Sequence, residues 1–130
     1  MDADETILYW MELSDYDIAT ADAMLKTRRY LYVGFMAHQT IEKVLKAFHW
    51  HEKNEEPPYT HDLWRLCESS GLTPSLQRGQ ADLLDELQPL NIGARYPKDK
   101  DALLKVLTHE YCQGLLDRVR ELHEWIKARC

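Results

Sequence analysis

The residues of this chain that are best suited to chemistry include a His-Asp-Leu triplet, His61-Asp62-Leu63. Histidine titrates near neutral pH, so His61 could remove a proton, for example from a ribose 2′-hydroxyl during cleavage of RNA. The alternative is structural: Thr60 and Asp62 cap a helix, and His61 packs or hydrogen-bonds at its start. The residues alone leave both interpretations open.

A second candidate is Arg95, which lies in an Arg-Tyr-Pro triplet and is followed closely by Lys98 and Lys100. A guanidinium group binds phosphate through two parallel hydrogen bonds, so Arg95 is a candidate phosphate ligand. The alternative is a solvated connector in which Arg95 pairs with a carboxylate such as Glu42.

The helix that must position these groups is predicted over residues 30–53. One side is apolar and carries Ala37, Ile41, Val44, Leu45 and Phe48. The other side carries the polar residues Gln39, Glu42, Lys43 and Lys46. Glu42 and Lys46 are four residues apart with the acid first, which favours a helical ion pair. His38 and Glu42 have a spacing suited to metal binding, but the chain offers no second such pair. We therefore predict no metal and no cofactor.

Apolar residues recur at helical spacing along the rest of the chain, and no convincing strand is present. The pattern predicts an all-α, up-and-down bundle of about five helices, three long and two short, over 4–27, 30–53, 60–69, 73–91 and 102–128. Thr60 is the expected N-cap of the third helix, and Gly71 is its expected stop. Leu104 is expected on the buried side of the last helix. The histidines expected on the surface are His49, His51 and His109.

Composition limits the class of protein. The chain has 130 residues, 45% hydrophobic and 29% charged, which indicates a single globular domain over residues 1–130. No membrane span or secretory signal is expected. Three widely spaced cysteines indicate reduced thiols in a cytoplasm. A net charge of −6 argues against a broad nucleic-acid footprint, although a local basic patch would be compatible with it.

Several stretches, taken in this order, resemble the HEPN domain (higher eukaryotes and prokaryotes nucleotide-binding). The first is an aromatic pair, Tyr9-Trp10, followed by the acidic and alanine-rich segment 15–21. The predicted central helix then supplies Tyr30, Phe35, His38-Gln39, Glu42-Lys43 and Leu45-Lys46-Ala47. The two triplets described above complete the pattern, which covers about residues 8–125.

The resemblance implies a helical bundle that commonly forms homodimers. Small proteins of this type often accompany a minimal nucleotidyltransferase, in modules that look like toxin–antitoxin pairs. Some family members are metal-independent ribonucleases, whereas others are thought to bind nucleotides or to serve as partner subunits.

The ribonuclease branch of this family uses an arginine followed, after four to six residues, by a histidine at the start of the last helix. Arg95 is at the corresponding place, but the matching positions hold Lys100, Asp101 and Ala102. Arg118 and His123 also have the spacing. They lie deep in the last helix and about 140° apart around it, so we do not expect them to converge.

The first hypothesis is therefore a homodimeric binding or regulatory protein with a nucleotidyltransferase partner and a polar groove for nucleotide or RNA. The residues expected to line that groove are Gln39, Glu42, Lys43, Lys46, His61 and Arg95. A ribonuclease toxin that uses Arg95 and His61 is the second hypothesis, and the incomplete motif counts against it. A purely structural dimerisation bundle is the third.

Overall fold

The computed structural model describes residues 1–91 and 97–130, with the side chains of residues 1–91 and 100–130. The described residues form six α-helices and no strand. The helices are α1 (Ala3–Lys26), α2 (Tyr30–Lys53), α3 (Leu63–Ser70), α4 (Arg78–Leu87), α5 (Pro97–Val106) and α6 (His109–Lys127). Short 3₁₀ turns at Thr73–Ser75 and Gln88–Leu90 flank α4. None of the described helices has the length and apolar character needed to cross a membrane.

The longest helices, α1 and α2, form an antiparallel pair joined by three residues. In that connection Arg28 adopts a left-handed backbone conformation, with φ of 61°. Helix α6 packs against both. Its residue His123 contacts Ser14 of α1, whereas His109 at its start hydrogen-bonds to Tyr30 at the start of α2. Helix α6 therefore runs antiparallel to α1 and parallel to α2, whereas neighbouring helices of the predicted up-and-down bundle would be antiparallel.

The core is built around α2, whose apolar side is completely covered. Helix α2 contributes Val33, Ala37, Ile41, Val44, Leu45 and Phe48. Helices α1 and α3 also contribute to the core, and α4 and α6 add Leu83, Leu84, Leu87, Leu115, Leu116, Val119, Leu122 and Ile126. Gly34 is where α2 approaches Leu90, because a Cβ atom there would lie 3.3 Å from a Leu90 methyl group.

The predicted all-α architecture is confirmed, and the described residues form six helices where about five were expected. The segment expected as one helix over 102–128 is divided into α5 and α6. The division occurs because the Thr108 side chain accepts a hydrogen bond from the Tyr111 backbone and caps α6. Leu104 consequently belongs to α5 and is 41% exposed, contrary to the prediction.

Two other helix starts differ from the predictions. The N-cap of α3 is Asp62, not Thr60, since the Asp62 carboxylate accepts from the backbone of Trp64 and Arg65. Thr73 and Pro74 form only a 3₁₀ turn, and α4 begins later, after a capping box between Gln77 and Gln80. The stop at Gly71 is confirmed, with φ of 82°.

Candidate functional site

Glu42 lies at the centre of the predicted site and is almost completely buried, with only 2% of its surface exposed. Its Oε1 accepts a hydrogen bond from His61 Nδ1 at 2.8 Å, and its Oε2 accepts one from Lys46 Nζ at 3.1 Å. A buried carboxylate is stable in its ionised form only when its oxygens are paired in this way. At Glu42 the polar side of α2 is therefore buried against the loop before α3 and is not exposed to solvent.

His61 is fastened to α2 at two points and still faces solvent. Its backbone carbonyl accepts a hydrogen bond from His38 Nε2 at 3.1 Å, while its side chain donates to Glu42. The His61 side chain is nevertheless 57% exposed. Because Nδ1 donates to the carboxylate, a neutral imidazole keeps its lone pair on Nε2, where it can accept a proton or a hydrogen bond.

His38 supports this arrangement from inside the fold. Burial lowers the pKa of His38 from 6.5 to about 4, although the nearby Glu42 carboxylate opposes the shift. The ring is therefore neutral at pH 7 and carries its proton on Nε2, which donates to the His61 carbonyl. The His38 ring holds the loop before α3 in place and does not exchange protons near neutral pH.

Gln39 and Lys43 extend these polar contacts toward α1. The Gln39 amide donates to Asn91 Oδ1 at 3.0 Å and accepts from Lys43 Nζ at 3.3 Å. Lys43 also pairs with Asp17, a carboxylate of α1 whose side chain is 8% exposed. We call Gln39, Glu42, Lys43, Lys46 and His61 the Glu42 network.

Five of the six predicted site residues thus form the Glu42 network, which consists of two hydrogen-bonded groups. Glu42 bonds to Lys46 and His61, and Gln39 bonds to Lys43. The sixth, Arg95, lies outside the described residues, as does its neighbour Tyr96. The two lysines are not uncompensated cations, since Lys43 is paired with Asp17 and Lys46 with Glu42. His61 is the member that presents an exposed polar group.

The two interpretations of the His-Asp-Leu triplet apply to different residues. Asp62 caps α3 and accepts a further hydrogen bond from Gln88 Nε2 at 3.2 Å. Gln88 in turn accepts from the Leu63 backbone at 2.8 Å, which joins the start of α3 to the turn after α4. Asp62 and Leu63 are therefore structural, whereas His61 combines anchoring with exposure.

Arg118 and His123 do not converge, as predicted. Arg118 donates to Glu86, which also accepts from Tyr111 at 3.1 Å. His123 is buried between α6 and α1, where its Nε2 donates to Ser14 Oγ at 2.9 Å. Desolvation lowers the pKa of His123. Each residue therefore has its own structural partner.

The sequence interpretation missed Asp17 and Asn91, named His38 beside Glu42 but not as a site residue, and misplaced one other histidine. His38, Asp17 and Asn91 are all buried and hold the network together. One signal was present for Asp17, because it falls on the same helical stripe as Ser14 and Ala21, and a charge on a buried stripe needs a partner. His49 is buried, not on the surface, and its Nδ1 lies 3.2 Å from the Glu55 carbonyl.

In the described part of the chain, no group of three or more His, Cys, Asp or Glu side chains is arranged to hold a metal ion. The family model for the HEPN domain matches residues 7–129, which is nearly the whole chain. No curated protein and no solved structure matches this chain.

Proposed function

Because this chain belongs to the HEPN domain family, we propose that it is a binding or regulatory protein that recognises RNA or nucleotide at the Glu42 network. The observation that carries this proposal is the exposed His61 imidazole held by a buried carboxylate at 2.8 Å. A side chain that is both exposed and fixed in orientation loses little freedom when a ligand hydrogen-bonds to it.

The charges of the network determine how a ligand would bind. Lys43 and Lys46 are each paired with a carboxylate, so a phosphate has to compete with Asp17 or Glu42 for them. We therefore expect modest affinity that falls as salt concentration rises. Arg95, which lies outside the described residues, is proposed as a further phosphate contact.

The test is binding of a labelled single-stranded RNA pool, with His51→Ala as the matched control. His51 is another partly exposed histidine, at the end of α2, and it is not a member of the network. His61→Ala should weaken binding about tenfold because it removes an oriented hydrogen-bonding group. His51→Ala should bind like the wild type. Equal binding by all three proteins, or no binding by the wild type, would contradict the proposal.

A ribonuclease is the second candidate, and the Glu42–His61 pair is the observation that favours it. A carboxylate that holds Nδ1 leaves Nε2 aimed outward, which is the arrangement a general base requires. Separating the same RNA under denaturing conditions distinguishes cleavage from binding. Cleavage that His61→Ala and Arg95→Ala both abolish would establish the enzyme, whereas intact RNA would favour the binding protein.

We further propose that the protein is a cytoplasmic single-domain homodimer and a partner of a minimal nucleotidyltransferase in a toxin–antitoxin-like module. The exposed apolar side chains of α1 support the dimer, with Leu8 57% and Tyr16 71% exposed. The free thiols of Cys67 and Cys112, both buried, agree with a reducing compartment. Co-purification of the partner with the wild-type chain tests the module.

A further inference from the structure

A cleft lies where the start of α1 meets the end of α2. Its volume is about 290 Å³. The residues that line it are Met1, Thr6, Tyr9, Trp10, Trp50 and Glu56. We call it the Trp10–Trp50 cleft. Antiparallel packing of α1 and α2 brings together these two tryptophans, which are 40 positions apart in the sequence.

Aromatic rings form much of the wall of this cleft. The Tyr9 and Trp10 rings stand edge to face, with centroids 5.4 Å apart and planes at 73°. Both indoles are only half-buried, and Tyr9 is 47% exposed. The faces of such rings carry negative potential and attract cations, tryptophan most strongly.

Trp10 already attracts one cation within the protein. The Lys46 ammonium lies over its ring, 5.1 Å from the centroid. Lys46 is paired with Glu42 and is not among the residues that line the cleft. The ring therefore interacts with a compensated internal cation, and it also contributes to the wall of a cleft that is open to solvent.

The charge around the cleft favours a positive ligand. Glu56 supplies a carboxylate within the wall itself. The two segments that form the cleft, residues 1–10 and 50–56, together contain six carboxylates, against a single lysine and the amino group of Met1. All six carboxylates are exposed. A phosphate would be repelled here, so this cleft differs in ligand class from the Glu42 network.

From this geometry we propose that the Trp10–Trp50 cleft binds an alkylammonium group, of the kind carried by a free polyamine or by a lysine side chain. The indole and phenol rings would contact the ammonium and its methylenes, and Glu56 would pair with the charge. Aromatic faces attract ammonium groups, and a neighbouring carboxylate compensates their charge. The inference does not depend on the function proposed for His61.

The experiment is titration of the ¹⁵N-labelled protein with spermidine at about 0.15 M salt, followed through the four indole N–H signals. Trp10 and Trp50 should shift in a saturable manner, while Trp64 and Trp125, outside the cleft, should not. Equal shifts of all four signals, or no shift of the two cleft tryptophans, would overturn the proposal.

Glu56→Gln should weaken spermidine binding about fivefold, because it removes the carboxylate and keeps the side-chain volume. The matched control is Glu68→Gln, an exposed acid on α3 that should leave the affinity unchanged. Equal affinities of both variants and the wild type would contradict the role of Glu56. Both residues are exposed, so we expect both variants to fold like the wild type, and a change in affinity then reports on binding.

A second titration with Nα-acetyl-lysine methylamide distinguishes the two sources of the ammonium group. Tighter binding of this compound than of spermidine would assign the cleft to a lysine of a protein partner. Tighter binding of spermidine would assign it to a free polyamine. Failure of both probes to shift Trp10 and Trp50 would overturn the proposal.

Discussion

At the scale of single residues, each charge at the candidate site is balanced by a specific neighbour. Glu42 has both oxygens paired, and Asp17 receives Lys43. His38 carries no charge to be balanced, because burial keeps its ring neutral. Its Nε2 proton is donated in a hydrogen bond to the His61 carbonyl. The result is one exposed histidine on a pre-organised support.

The lowered pKa of His38 makes stability depend on pH. The unfolded chain binds a proton on this residue below about pH 6.5, whereas the folded chain does so only near pH 4. Stability should therefore fall as pH decreases from 6.5 to 4, by about 3 kcal/mol from this group. His123, whose pKa is also lowered, acts in the same direction.

The measurement is urea denaturation across that pH range for the wild type and for His38→Gln. Glutamine can still donate to the His61 carbonyl but does not titrate. The variant should show a clearly flatter dependence of unfolding free energy on pH. Parallel curves for the two proteins would contradict the assignment to His38.

At the scale of helices, capping residues determine where helices begin and end, and buried ion pairs help to position one helix against another. Asp62 and Thr108 accept backbone hydrogen bonds at the starts of α3 and α6. Gly71 ends α3 in a left-handed conformation. The Asp17–Lys43 pair joins α1 to α2 next to the candidate site, so helix packing and site geometry depend on the same contacts.

Two glycine substitutions should change stability in opposite directions. A Cβ atom would meet nothing within 4 Å at either Gly71 or Gly114. Replacement by alanine therefore acts only through the different backbone preferences of alanine and glycine. Gly71→Ala should destabilise by about 1 kcal/mol because alanine disfavours the positive φ. Gly114→Ala, within α6, should stabilise by about 0.5–1 kcal/mol. Thermal or urea denaturation measures both, and changes of the same sign would contradict the prediction.

A double-mutant cycle should show strong coupling between Asp17 and Lys43. Asp17→Asn and Lys43→Met should each cost about 2–3 kcal/mol, since each leaves a partly buried charge without its partner. The double variant should lose at least about 1 kcal/mol less than the sum of the two.

The matched control is the exposed pair Asp22–Lys26, whose lysine side chain is 76% exposed. Its coupling should stay below about 0.5 kcal/mol because water screens it. If the two cycles gave equal coupling energies, the Asp17–Lys43 pair would not hold α1 against α2.

At the scale of the whole molecule, α2 is covered by α1 and α6, but α1 has an outer face with no partner among the described residues. That face lies within about 80° of arc. Its residues are Leu8, Glu12, Tyr16, Ala19 and Ala23, all exposed. Largely apolar helix faces of this kind are typical of interfaces between chains.

Disruption of this face should separate the proposed dimer. Leu8→Glu combined with Tyr16→Glu should weaken self-association more than tenfold, because four carboxylates would be brought together at a two-fold interface. Light scattering after size-exclusion chromatography gives the mass, and circular dichroism verifies the helices. Tyr59→Glu, at a fully exposed loop residue, is the control and should stay dimeric. A wild-type chain that is monomeric would contradict the dimer itself.

The helical spacing of residues was enough to predict much of this fold from the sequence alone. The spacing of Ala37, Ile41 and Leu45 predicted α2 with its observed bounds, and Gly71 predicted a stop. The polar side of α2 likewise predicted that Gln39, Glu42 and Lys43 would share a site. These features depend on neighbours within one or two helical turns, so local periodicity contains them.

The sequence predicted the Glu42–Lys46 pair within α2. Only the tertiary structure decided which residues outside α2 these polar residues contact. Glu42 accepts a hydrogen bond from His61, 19 positions away, and Lys43 is paired with Asp17, 26 positions away. The same holds for Trp10 and Trp50, which line one cleft because α1 and α2 are antiparallel. Burial of a charge and its choice of partner depend on which helices pack together, and a helical period contains no information about contacts between helices.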